Sequence, residues 1–140
     1  MNINDIQDEI IEEFSFFDDW MDKYEYLISL GKDLPLIDSI YKDDDHLIKG
    51  CQSQVWLHAE DESGKVSFTA DSDAIITKGI IGLLVRVMNG HSAEEIANAD
   101  LYFIDKIGLQ EHLSPNRSNG LVSMVKQMKM YGMALASQKS

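Results

Sequence analysis

The stretch from Ala74 to Met88, AIITKGIIGLLVRVM, constrains this chain more than any other. It is apolar nearly all round, so a helix over it has no face to give to water and belongs at the centre of a fold. It is too short to span a bilayer, and Lys78 and Arg86 interrupt it. Asp71, Ser72 and Asp73 stand just before it with capping oxygens and favourable charge. Gly79 and Gly82 cost helix propensity, so their place on one face predicts close packing against a neighbour. Gly90 ends the helix.

The flanking segments supply the wrapping. Ile3, Ile6 and Ile10 recur at helical spacing and predict a first helix over about Asp5–Phe14. Asp18 offers an N-cap for a second helix that buries Trp20, Tyr24, Leu27 and Ile28. Gly31 supplies a left-handed stop and Pro35 confirms the break. After the polar loop KDDDH the period changes to two. Val55, Leu57 and Ala59 alternate with Trp56, His58 and Glu60, then Val66, Phe68 and Ala70 alternate with polar neighbours. That is a hairpin over about 53–60 and 65–70, turned by DESG, with a short strand at His46–Lys49 able to pair alongside. Ser92 and Glu95 make a capping box for a short helix. A short helix or turn is expected around Asp105–Leu109. Ser114 and Pro115 open a C-terminal helix whose core stripe is Leu121, Val125, Met128 and Leu135. Met124, Met128, Met130 and Met133 are most simply packing residues, with a pliable binding surface as the alternative.

A length of 140 residues, 44% of them hydrophobic and 26% charged, suits one α+β domain with a real core. The formal charge of −12 argues against nucleic acid as a partner. It reads as solubility, or as attraction to a basic patch on another protein. The start MNINDIQDEIIEEF is acidic where a targeting segment carries positive charge, so a cytoplasmic location without membrane attachment is expected.

Cys51 is the only cysteine. It cannot form an intramolecular disulfide, and it excludes a metal site built from several thiolates. No pair of histidines shows metal-ligand spacing. A lone cysteine is most simply a small buried hydrophobe. Its place weakens that reading, because GCQS lies in a turn entering the long strand, where functional groups are commonly displayed. Reactivity needs thiolate, and His58, His112 and Arg117 are the candidate helpers. Taken singly, each is more simply a surface or ion-paired residue. A hydrolase would need a base and an oxyanion site that the spacing does not identify. Exchange at sulfur needs only an accessible thiolate and a sulfur electrophile, which can arrive on another protein.

Four blocks in order, WMDKYEYLISLGKDLPLI, IKGCQSQVWL, DSDAIITKGIIGLLV and HLSPNRSNGL, resemble the SufE family of sulfur-acceptor proteins. The resemblance implies a SufE/IscU-like α+β fold, here with a small three-stranded antiparallel sheet against several helices. It implies that Cys51 accepts sulfane sulfur from the cysteine persulfide of a SufS-type, or alternatively CsdA-type, desulfurase. It further implies stimulation of that enzyme and delivery to a SufBCD-type scaffold that assembles iron–sulfur clusters. The pyridoxal phosphate belongs to the desulfurase, and this chain is expected to bind no cofactor of its own. Ile48, Val55 and Trp56 are expected to supply part of the shelter for the sulfur. Arg117 and His112, in the fourth block, are expected near the Cys51 loop, Arg117 favouring the anion. Asp73 is expected chiefly as the helix cap, and secondarily as a restraint on the loop or a partner contact. A cysteine-dependent hydrolase and an acidic adaptor are the rival readings.

Overall fold

The computed structural model describes residues 2–138. Helix α1 (Ile3–Ser15) opens on an Asn2–Asp5 capping box, which satisfies amides that the first helical turn leaves unpaired. Helix α2 (Trp20–Gly31) follows, capped by Asp19 rather than Asp18, because the Asp19 carboxylate reaches the Asp22 amide at 2.9 Å. Strands β1 (Val55–Glu62) and β2 (Lys65–Ser72) form an antiparallel hairpin with Val55 opposite Ser72 and Glu62 opposite Lys65. Ser63 (φ 55°) and Gly64 (φ 87°) turn it, and two positive φ values match the twist of the flanking strands. Then come α3 (Ile75–Met88), α4 (Ala93–Ala97), α5 (Phe103–Lys106) and α6 (Pro115–Ser137). Short 3-10 turns lie at Ser39–Tyr41 and Gln110–His112.

Helix α3 is the centre. Ten of its residues are buried, and α2 packs along it. The crossing is fixed by glycine. A Cβ on Gly79 would lie 2.4 Å from the carbonyl oxygen of Leu27, and one on Gly31 would lie 3.0 Å from the Gly79 nitrogen. The expected close approach at Gly79 is therefore present. Gly31, in contrast, is not a left-handed stop: it is the buried last residue of α2, and the following Lys32 keeps a right-handed φ of −69°. Its missing side chain serves interhelical contact. Arg86, on the one polar edge of α3, reaches Glu13 of α1 at 2.8 Å and 2.5 Å and Glu9 at 2.9 Å. The Arg86 hydrogen bond holds the Glu13 carboxyl below its ordinary range.

The hairpin lies on α3 through Val66, Phe68 and Ala70, all fully buried. Its sheet has two strands among the described residues, not three. The segment expected as a third strand makes one antiparallel bridge, Leu47 with Trp56. Two bonds frame it, Ile48 N–H to Val55 O (2.8 Å) and Leu57 N–H to His46 O (2.9 Å). It extends no further because His46 still belongs to a turn that starts at Asp43, and Gly50 swings away at φ 94°. The outer edge of β2 is covered likewise, by Leu36 at Ala70 and His91 at Val66. Single bridges thus shield both edges of a two-stranded ribbon.

The C-terminal half closes the core. Gln7 of α1 is buried; its amide donates to the Asp100 carbonyl (2.9 Å) and accepts from the Phe103 N–H (3.1 Å), tying α1 to α5. Helix α5 begins two residues before the expected turn at Asp105. On α6, Leu121, Met124 and Met128 are buried, Val125 and Leu135 half-buried, and Met130 and Met133 exposed. The methionines therefore divide between packing and surface.

Candidate functional site

The Cys51 loop, residues 49–54, leaves the Leu47–Trp56 bridge and enters β1. Glycine leads it for a steric reason as well as a torsional one. Gly50 holds φ 94°, and a Cβ there would come within 2.4 Å of the Ser123 hydroxyl on α6. At the far end, Gln54 is clamped through its backbone. Its N–H donates to the Asp73 carboxylate (3.0 Å), and its carbonyl accepts from the Ser72 hydroxyl (2.8 Å) and the Asp73 N–H (3.3 Å). In the middle, the Gln52 side-chain oxygen accepts from the Asn116 amide at 2.8 Å. The loop is thus fastened to the start of α3 on one side and to α6 on the other.

These contacts correct the expectation for Asp73. The α3 cap position is Ala74, with no side-chain cap bond, and the Asp73 carboxylate is committed to the loop instead. Asp71 is not a cap either; it lies between Lys42 (2.6 Å) and Lys78 (3.4 Å). The Ser72 hydroxyl accepts from the Ala74 N–H at 3.2 Å, just ahead of the helix.

Cys51 is a free, half-buried thiol. Its Sγ donates to the carbonyl oxygen of Gly120 at 3.6 Å, and a Cβ on Gly120 would stand 3.4 Å from that sulfur. Burial pushes the thiol pKa up from its ordinary value. The thiol opens on a cleft of about 340 Å³. Buried Thr77, Ile80 and Met124 form its floor, while exposed Gln52, Asn116 and Arg117 stand at its rim. The shelter therefore comes from α3 and α6. Ile48 and Val55 are core residues, and neither they nor Trp56 line the cleft.

Arg117 and Cys51 share this cleft. The Arg117 backbone N–H donates to the Ser114 hydroxyl cap (3.4 Å), and its guanidinium has no ion pair or hydrogen bond among the described residues. A cation at the mouth of a thiol cleft favours the anionic form of whatever sulfur occupies it. His112 is not brought to the cleft. Its ring stacks on Trp20 at 4.0 Å, its Nδ1 lies 2.9 Å from the Gly108 carbonyl, and its own carbonyl accepts from the Tyr24 hydroxyl. His58 is also elsewhere, stacked on Tyr41 at 3.8 Å and bonded to Glu60 at 3.0 Å. No base accompanies Cys51: among the described residues the only hydrogen-bond partner of its sulfur is the Gly120 carbonyl.

Thr77, Asn116 and Gly120 belong to the site and were not singled out from the sequence, and Met124, expected as a packing residue, also lines the cleft. A signal for three of them existed. Asn116, Gly120 and Met124 recur every four residues on one face of α6, and a glycine inside a long helix marks close approach.

Fold and site together define a small α+β domain that holds one half-buried thiol on a pinned loop over an open cleft. Among the described residues no group of three or more histidine, cysteine or acidic side chains is placed to hold a metal ion. The chain belongs to the SufE family: the family's model, described as an Fe-S metabolism associated domain, matches residues 8–132. An uncharacterized SufE-like protein of Rhizobium meliloti is 42% identical over 127 residues, covering 87% of this chain and 91% of the relative. A chloroplastic/mitochondrial SufE-like protein of Arabidopsis thaliana is 41% identical over 122 residues, which are 86% of this chain and 33% of that longer protein. The fold matches the solution structure of a hypothetical protein from Thermus thermophilus, with a TM-score of 0.78 at 21% identity, covering 94% of this chain and 96% of that one.

Proposed function

We propose that Cys51 is the acceptor for sulfane sulfur delivered by a cysteine desulfurase of the SufS or CsdA type, and that this chain stimulates the enzyme by clearing its persulfide. The sulfur then passes to a SufBCD-type scaffold for iron–sulfur clusters. Family membership supports the reading, and the lone thiol on a loop over a cleft carries it.

The step is exchange at sulfur. Cys51 gives up its proton, and its thiolate attacks the terminal sulfur of the donor's cysteine persulfide. A bond forms between that sulfur and Cys51 Sγ, the donor's sulfur–sulfur bond breaks, and the donor cysteine leaves as thiolate and takes up a proton. No net oxidation occurs and no cofactor of this chain takes part. Burial favours the protonated thiol at rest, so the cysteine is quiet until a partner opens the loop. The cleft then shields the loaded sulfur from oxidants and stray thiols. Arg117 stabilises the perthiolate from the rim, and Asp73 holds the loop through Gln54. His112 takes no part in the step, its ring being held away from the sulfur by Trp20 and Gly108. A cytoplasmic location is part of the proposal and rests on the reducing conditions that a free thiol needs. No helix among the described residues is long and apolar enough to cross a membrane.

The test is intact mass after incubation with a SufS-type desulfurase and free cysteine. The expected result is a gain of reducible sulfur that Cys51→Ser abolishes. No gain, or an equal gain in the serine variant, overturns the proposal.

A further inference from the structure

Three polar side chains are buried among the described residues: Gln7, Thr77 and His91. Gln7 bridges α1 and α5, and His91 lies 4.0 Å from Glu95. Thr77 differs. It is 6% exposed and lines the Cys51 cleft, and its hydroxyl has no hydrogen-bond partner among the described residues. A threonine in a helix commonly turns its hydroxyl onto the carbonyl one turn back. Thr77 is the third residue of α3, and no such bond forms. Its neighbours on the cleft floor, Ile80 and Met124, offer no oxygen acceptor. No side-chain oxygen or nitrogen among the described residues is both sealed from solvent and unpaired, so the Thr77 hydroxyl is open to the cleft, where it is free to donate to a group that enters.

We propose that the Thr77 hydroxyl is a positioning residue that donates a hydrogen bond to the terminal sulfur of a persulfide on Cys51. This deepens the sulfur-acceptor reading and rests on it. In the unloaded protein Sγ is a donor and satisfies the Gly120 carbonyl. A second sulfur extends the side chain by about 2 Å. Deprotonated, that sulfur can only accept, and the Gly120 carbonyl has nothing to give it. Thr77 is the buried donor in the cleft, and it sits in the first turn of α3, whose N-terminal end favours negative charge. Arg117 competes from the rim. The inner donor keeps the sulfur beneath the loop, and the outer cation meets it as the loop opens toward a partner.

The test loads the intact chain with inorganic polysulfide, so it does not depend on any desulfurase, and selects the species heavier by one sulfur. Iodoacetamide labels either sulfur, but only a label on the terminal sulfur is released by reduction. With Thr77→Val the pH midpoint for terminal-sulfur alkylation rises, and loss of that sulfur to glutathione is about fivefold faster, the worth of one hydrogen bond. Thr77→Ser, which keeps the hydroxyl, retains the wild-type values. The unloaded thiol titrates alike in all three proteins, because it faces Gly120. An unchanged terminal sulfur in the valine variant overturns the proposal. So does an equal shift of loaded and unloaded profiles, which would mark a packing effect, or a serine variant that behaves like valine. Loading by polysulfide but not by a desulfurase, with the valine effect present, defeats the desulfurase assignment and leaves the Thr77 role standing. Failure of Cys51 to retain any added sulfur overturns both.

Discussion

Cys51 Sγ lies 3.6 Å from the carbonyl oxygen of Gly120, a contact between residues 69 positions apart. Gly120 sits on the buried face of α6 directly beneath the thiol, where a Cβ would come within 3.4 Å of the sulfur. Gly120→Ala should therefore push the thiol outward while gaining up to about 1 kcal/mol of helix propensity. The expected outcome is faster alkylation of Cys51 with an unfolding midpoint equal to or above that of the wild type.

The clamp on Gln54 makes a second prediction. Asp73→Ala removes the acceptor for the Gln54 N–H and should cost about 1 kcal/mol, confined to the loop. Hydrogen exchange at Gln54 should quicken and Cys51 should alkylate faster. Asp73→Asn keeps an acceptor oxygen and should fall between the two.

Burial raises the Cys51 pKa, and the sign of its effect on stability follows. The folded protein binds the thiol proton more tightly than the unfolded chain does. That contribution is complete below the unfolded thiol pKa and is lost as pH rises through the folded value. Compared with Cys51→Ser, the wild type should lose stability across this alkaline window. Its alkylation midpoint should lie above that of the same chain in denaturant.

Glu13 behaves in the opposite sense. Its folded pKa is depressed, mainly by the Arg86 hydrogen bond, so its contribution is present above the unfolded carboxyl pKa and lost as pH falls through the folded one. Arg86→Met should cost about 1–3 kcal/mol at neutral pH and flatten the acid limb of the stability profile.

At the α2–α3 crossing, Gly79→Ala places a methyl group 2.4 Å from the Leu27 backbone oxygen, which no rotamer change relieves. A loss of about 1–3 kcal/mol is expected in chemical unfolding, despite the better helix propensity of alanine.

The periodicity of the sequence located the central helix, the hairpin and the C-terminal helix, because apolar spacing reports directly which face is buried. It did not distinguish a strand from a bridge at His46–Lys49, since propensity cannot say that Gly50 turns away after one pairing. It read Gly31 as a stop and Asp73 as a cap because both local uses are common, while the actual uses are tertiary: contact with Gly79 and a bond to Gln54. The same limit applies to the site. Cys51 stood out as the single thiol. His112 was drawn toward it by shared membership of a sequence block, yet its ring is held by Trp20 and Gly108. Thr77 went unremarked because a threonine in an apolar helix is unremarkable until its hydroxyl is found without a partner.

The walls around the thiol come from residues 51–53, 77–80 and 114–124, so the last of them is made some sixty to seventy residues after the cysteine itself. A nascent or truncated polypeptide ending before α6 carries the cysteine but neither Gly120 beneath it nor Asn116 and Arg117 beside it. Maturation of the chamber is thereby coupled to the synthesis of α6, and a copy without that helix has a bare side chain where the folded domain has a compartment.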